Sequence, residues 1–235
     1  MARGAKLLTE FVGTFIFFSV IALSGAAGAL APLAIGAALM TMVYMGGHVS
    51  GAHYNPAVSF GVFLRGKLSG VDLALYCVVQ LVAAALAFTF GYVLTSHAGG
   101  IHPGAHAGTA EALLAEIVFT TALVLVVLNV AVTPATQGNS FYGLAIGFTV
   151  AAGAFAVGPI SGGAFNPAVG FGATFASAAY ASGGWGDLWI YIVGPLVGAA
   201  IGAGIHAVQM SGMAAATEPP EGEPSPGSPP PVPAR

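Results

Sequence analysis

The chain has 235 residues, of which 57% are hydrophobic and 6% charged, with a formal net charge of −3. A soluble domain carries charge on about a quarter of its residues, so a water-soluble globule is excluded. So is a nucleic-acid binder, because five lysines and arginines cannot neutralise a row of phosphates. One cysteine excludes a disulfide framework and a cysteine-based zinc site, which leaves a polytopic protein of the lipid bilayer.

In chain order, apolar stretches cover about 7–29, 32–45, 71–95, 112–132, 141–157 and 188–208. A helix needs about 20 apolar residues to cross a core of about 30 Å. The second and fifth stretches need flanking residues to reach that length. None alternates with period two, as strands of a membrane barrel do. The spacing therefore predicts an all-α membrane protein with six transmembrane helices. Arg3 and Lys6 before the first stretch resemble a secretory signal, but Glu10 and the length of the stretch point to a retained helix.

The positive residues set the orientation. With six crossings, Arg3, Lys6, Arg65, Lys67 and Arg235 all fall on one side, and the connections 96–109 and 158–187 carry no lysine or arginine. The positive-inside rule places both termini in the cytoplasm of a plasma or inner membrane. Residues 1–216 form the membrane domain. Residues 217–235 are rich in proline and glutamate, and a disordered cytoplasmic tail is expected there.

The chain also repeats itself. Thr9-Glu10-Phe11-Val12-Gly13-Thr14 is echoed by Ala115-Glu116-Ile117-Val118-Phe119-Thr120. Ser50-Gly51-Ala52-His53-Tyr54-Asn55-Pro56-Ala57-Val58 is echoed by Ser161-Gly162-Gly163-Ala164-Phe165-Asn166-Pro167-Ala168-Val169. The offsets, 106 and 111 residues, are nearly equal and imply a duplication, with repeats at about 5–95 and 110–210. Three helices per repeat is an odd number, so the second repeat inserts upside down. Inverted repeats are a transport architecture with the pathway at their interface. Each Asn-Pro-Ala reads as the start of a short helix, because asparagine caps well and proline suits the first turn. The Gly-rich chain before each cannot be helical throughout, and irregular backbone survives at membrane depth only when buried in protein or lining a wet cavity. Two re-entrant half-helices then aim their positive N-termini at each other.

These motifs closely resemble the aquaporin, or major intrinsic protein, family, over about 5–210. The resemblance implies a homotetramer with a pore in each subunit. It implies that the motifs Asn55-Pro56-Ala57 and Asn166-Pro167-Ala168 meet at the pore centre, where both asparagines donate to the permeating molecule. Gly51, Ala52 and His53 on one side, and Gly162, Gly163 and Ala164 on the other, would line the path with carbonyls. Glu10 and Glu116 would be structural, accepting hydrogen bonds from the re-entrant backbone; a proton-coupling role is the alternative.

The selectivity filter departs from the family. Gapless spacing maps it to Ile35, Ala154, Gly163 and Val169, with Val169 where arginine is usual and Ala154 where water channels have histidine. This filter has no charge and no aromatic ring, and its gap could be filled from the loop 96–109. Gly170 stands where glycerol facilitators have aspartate, and Trp189-Ile190-Tyr191 keeps the aromatics of water channels. The expected function is a passive water channel open to other small neutral solutes and closed to ions and protons, with no catalysis, metal or cofactor. The alternatives are a facilitator mainly for glycerol, urea, ammonia, hydrogen peroxide or dissolved gas, and, more remotely, a proton-coupled transporter using Glu10 and Glu116. His97, His102 and His106 share a loop, read as solvated chain rather than a metal or pH site. His206 reads as a pore-mouth or packing residue and Cys77 as core packing.

Overall fold

The computed structural model describes residues 1–217, so the expected tail lies outside them except for Thr217, which ends a helix. The helices are α1 (Arg3–Leu23), α2 (Ala31–Ser50), α3 (Pro56–Leu64), α4 (Gly70–Thr95), α5 (Thr109–Val127), α6 (Tyr142–Ser161), α7 (Pro167–Tyr180) and α8 (Leu188–Thr217). Among the described residues there is no strand. Five stretches are long and apolar enough to cross a membrane, and the first, Arg3–Ser50, holds both α1 and α2. The two are joined by a tight 3-10 segment, Ser24–Leu30, broken at Gly28, whose φ of 53° lies in the left-handed region. The fold is thus all-α, with six membrane helices and two half-helices, α3 and α7, in an inverted repeat. At 1.5 Å per residue α3 is about 14 Å long, roughly half a bilayer core.

Four helix ends differ from the apolar boundaries. The second and fifth stretches continue as helix through Gly46-Gly47-His48 and Gly158-Pro159-Ile160, and stop only at Gly51 (φ 91°) and Gly162 (φ 90°). Without water to satisfy them, backbone groups hold helical bonds past residues that would break a soluble helix. The fourth stretch ends in a single π-type turn, Leu128–Val132, before a sharp turn at Thr133. The sixth runs on to Thr217.

Packing rests on small residues. Lipid tails are as apolar as leucine, so membrane helices associate through close van der Waals approach. α2 and α6 cross where a Cβ on Gly36 would lie 2.5 Å from the Gly147 carbonyl oxygen. α5 and α8 cross where a Cβ on Gly198 would lie 2.5 Å from the Ile117 carbonyl oxygen. Thr121 Oγ1 donates there to Gly198 O at 3.1 Å. Tyr54, fully buried, fills the space left by Gly13 of α1 and Gly46 of α2, and its hydroxyl donates to Met42 O at 3.0 Å. Gly13→Val drives a branched side chain into that ring, and overpacking of this kind costs about 1–3 kcal/mol. The expected result is a lower thermal unfolding midpoint in detergent; Gly4→Val, at a position with nothing within 4 Å, should leave the midpoint unchanged.

One end of the bundle carries Lys6, Arg65, Lys67 and the ion pair Arg3–Asp72 at 2.8 Å. We call that end inner and the opposite end, with the connections 96–108 and 181–187, outer.

Candidate functional site: a central neck between two vestibules

The connections entering α3 and α7 have the same backbone shape. Gly51, Ala52 and Tyr54 have φ of 91°, 51° and 48°, and Gly162, Gly163 and Phe165 have 90°, 69° and 51°. Three of these are not glycine, and left-handed backbone at such residues persists only when the surroundings fix it. The buried carboxylates of α1 and α5 do so. Glu10 Oε1 accepts from Ser50 Oγ at 2.7 Å and His53 N at 2.9 Å; Oε2 accepts from Tyr54 N at 2.8 Å and Gln80 Nε2 at 2.9 Å. Glu116 Oε1 accepts from Ser161 Oγ at 2.8 Å and Ala164 N at 3.0 Å, and Oε2 from Phe165 N at 2.6 Å. Ser50 Oγ and Ser161 Oγ in turn accept from Ala52 N and Gly163 N. Tyr76 and Tyr191 donate their hydroxyls to Ser50 O and Ser161 O, each at 2.7 Å. Neither glutamate has a basic partner: among the described residues the ion pair is Arg3–Asp72.

The loops deliver the two asparagines to the centre. Asn55 Oδ1 accepts from Ala57 N at 2.8 Å, and Asn166 Oδ1 from Ala168 N at 3.0 Å, capping α3 and α7. Each Nδ2 then crosses to the opposite loop: Asn55 Nδ2 donates to Phe165 O at 2.9 Å and Asn166 Nδ2 to Tyr54 O at 2.9 Å. Both ends of each amide are engaged, and a flip would oppose donor to donor and acceptor to acceptor. The orientation is therefore fixed by chemistry. An amide NH2 has two hydrogens, so one donor per asparagine is left over after the cross-bond.

Three cavities lie in series. The central one has a volume of about 20 Å³ and is walled by Asn55, Asn166, Ala52, His53 and Ala164 together with apolar side chains such as Phe17 and Leu123. That volume matches one water sphere. The outer vestibule, about 510 Å³, shares Phe17, Val150 and Ala164 with this neck. The inner vestibule, about 560 Å³, shares His53, Val127 and Ile146 with it.

All four mapped filter positions, Ile35, Ala154, Gly163 and Val169, line the outer vestibule. Gly162, Gly163 and Ala164 face it too, while Gly51 and His53 face the inner one. The outer loop turns inward beside them: residues 97–102 and 104 form part of the wall, and Gly104 N donates to Ile160 O at 2.9 Å. Ile101 covers Gly162, where a Cβ would lie 2.6 Å from Ile101 Cγ1. His97 and His102 are on this wall and His106 is not. Among the described residues no group of three His, Cys, Asp or Glu could hold a metal ion. Cys77 lines none of the three cavities. His206 lies off them as well, bonded to Arg65 and Thr133.

Sequence reasoning passed over Tyr76, Gln80 and the two serines as loop supports. The serines stood inside the repeated motif. Tyr76 and Gln80 are spaced like Tyr191 and Pro195, which explains why Glu10 has a fourth donor and Glu116 does not.

The family described as major intrinsic protein matches residues 2–206 of the chain. "Aquaporin TIP1-2" of Zea mays is 36% identical over 223 residues, covering 88% of this chain and 86% of that protein. "Aquaporin NIP1-4" of Oryza sativa subsp. japonica is 36% identical over 213 residues, covering 84% and 74%. In fold, the chain is similar to the crystal structure of the aquaglyceroporin from Plasmodium falciparum, with a TM-score of 0.78, 21% identity, and coverage of 92% of this chain and 100% of that one.

Proposed function

The chain belongs to the major intrinsic protein family, whose members are membrane channels rather than enzymes, and from that premise we propose that it passes water first and small neutral solutes second while excluding ions and protons. The observation that carries this reading is the neck of about 20 Å³ flanked by two fixed asparagine amides. A water in the neck accepts from Asn55 and Asn166, so its own hydrogens point to its neighbours along the file. That orientation, with the positive ends of α3 and α7 aimed at the same point, opposes proton hopping and cation entry. Carbonyls of Gly51, Ala52 and His53 inside, and of Gly162, Gly163 and Ala164 outside, replace the hydration shell on either side. Glu10 and Glu116 serve as structural anchors of the loops, not as proton carriers, since their oxygens are occupied by fixed donors.

The filter reading rests on the outer vestibule. Ile35, Ala154, Gly163 and Val169 give it an uncharged wall, and Ile101 supplies part of the narrowing that an arginine would give. Such a wall admits neutral solutes larger than water and leaves the neck as the tightest point. The functional unit is a homotetramer with both termini cytoplasmic, the inner end being the one with Lys6, Arg65 and Lys67.

Asn55→Asp and Asn166→Asp test the neck. Each replaces a fixed donor with a negative charge where two positive helix ends meet. Each loses a neutral amide–carbonyl bond and leaves a buried carbonyl unpaired, at a cost of about 1–3 kcal/mol, so water permeability in proteoliposomes should fall about tenfold or cation conductance should appear. Parental water flux and parental ion exclusion in both variants would falsify this role of the asparagines.

A further inference from the structure

Positive charge at the inner end is common to membrane proteins of this orientation, but two of these residues face the pathway. Lys6 of α1, and Lys67 just beyond α3, both line the inner vestibule. Among the described residues neither ammonium has an acidic partner, because the ion pair at this end is Arg3–Asp72 at 2.8 Å. Glu10 and Glu116 are buried under their loops, and Glu111 and Asp187 stand at the outer end. Arg65 is turned to His206, its Nε 3.0 Å from Nδ1. None of the described residues lining the inner vestibule is acidic. Two ammonium charges therefore face one cavity without a counter-charge.

The cavity, about 560 Å³, has the size and make-up of a small-molecule site. Lys6, Lys67, His48 and the Gln137 amide supply its donors. Much of the remaining wall is apolar, with Val43, Val62, Leu68, Val127, Val130 and Ile146. A ligand that satisfies both parts carries two negative charges on one group and a small apolar body. A phosphate monoester does so, because its second pKa of about 6 leaves it nearly doubly charged at pH 7.5. Lysine binds phosphate well as a point charge. A monocarboxylate would leave one ammonium unmatched. The neck beyond, about 20 Å³, holds one water. The ligand cannot follow water through it and stands across the file.

We propose that the inner vestibule is a binding site for a small organic phosphate monoester, held by Lys6 and Lys67, which blocks flux from the inner side. The block rests on the channel reading above; the binding does not. A phospholipid headgroup carries the same phosphate chemistry. Glu218, Glu221 and Glu223, which follow α8 in the chain, carry carboxylates. The test has an arm for each of these sources.

Phenyl phosphate is placed on both faces of phosphatidylcholine proteoliposomes at pH 7.5, and protein-dependent water permeability is read by light scattering. Two partly solvated charge contacts correspond to a Kd of about 1 mM, so about 10 mM should lower the permeability about tenfold. Sodium chloride of equal ionic strength should not. Lys6→Gln and Lys67→Gln should each raise the half-inhibiting concentration about tenfold, as loss of one charged hydrogen bond gives. Each leaves three positive residues at the inner end, which keeps the orientation. Lys6→Arg/Lys67→Arg should retain the block. Calorimetry in detergent, which does not depend on flux, should show one phenyl phosphate per chain, binding more weakly in either Gln variant and at high salt. No binding and no block, or a block unchanged in both Gln variants, overturns the site. Inhibition in phosphatidylglycerol vesicles without phenyl phosphate, relieved by Lys67→Gln, assigns the lysines to headgroups and overturns the soluble ligand. Binding seen only in Glu218→Gln/Glu221→Gln/Glu223→Gln assigns the site to the chain's own carboxylates and overturns it too. A parent that carries no water without phenyl phosphate overturns the channel reading instead, and calorimetry then still decides the site.

Discussion

Glu10→Ala is expected to unfold the first re-entrant loop and with it abolish water flux. Four donors converge on this carboxylate: Ser50 Oγ, His53 N, Tyr54 N and Gln80 Nε2. All four residues and Glu10 itself are buried, and Glu10 lines none of the three cavities, so water replaces the lost acceptor poorly. Each unsatisfied buried donor costs about 1–3 kcal/mol, which makes the total at least about 4 kcal/mol. That exceeds most single substitutions in the core of a protein. The loop has a further weakness, since Ala52 and Tyr54 adopt positive φ only while held. Glu10→Gln keeps the shape but exchanges one accepting oxygen for a donor, and should fall in between. Glu116→Ala removes three bonds rather than four and should destabilise less than Glu10→Ala. Thermal unfolding in detergent, read beside proteoliposome water permeability, checks the order. A parental midpoint in Glu10→Ala contradicts the anchoring role.

The second large effect concerns solute choice. Val169→Arg places a long, charged, donor-rich side chain in the outer vestibule beside Ala154 and Gly163. Glycerol and urea permeability should then fall by more than water permeability does. Ala154→His added to it should sharpen that preference further, because both changes restore groups that water channels carry at these positions. The ratio of glycerol to water permeability should drop at least about tenfold in the double variant, as a difference of about 1.4 kcal/mol between the two solutes' barriers would give. A parent that already excludes glycerol and urea as fully as the double variant contradicts the open filter. Ile101, covering Gly162, would then be the residue to shorten.

Much of this arrangement was legible because it is local or repeated. Asparagine followed by proline favours a helix start, as at Asn55 and Asn166, and two copies in an odd-numbered repeat point to the inversion. Counting back from Asn55 and Asn166 reached Ile35 and Ala154 because α2 and α6 run without interruption from those residues to Ser50 and Ser161. The same continuity hid the true helix ends, since glycines that read as breaks stay helical in a bilayer. Contacts made across the chain were out of reach. His206 meets Arg65 across 141 residues, and no periodicity announces the pair. Ile101 sits in a Gly-rich connection with no pattern from which its inward turn could be read. Gln80 is legible only in hindsight, as the residue opposite Pro195 in the other repeat.

The most direct measurement is stopped-flow light scattering on proteoliposomes containing the parent protein, challenged in turn with an impermeant osmolyte, glycerol and urea, with and without imposed proton and sodium gradients. The account predicts fast osmotic water flux with a low activation energy, slower entry of the neutral solutes, and no response of either to the ion gradients. Solute movement that requires a proton or sodium gradient, or water flux no faster than through protein-free vesicles, would contradict it.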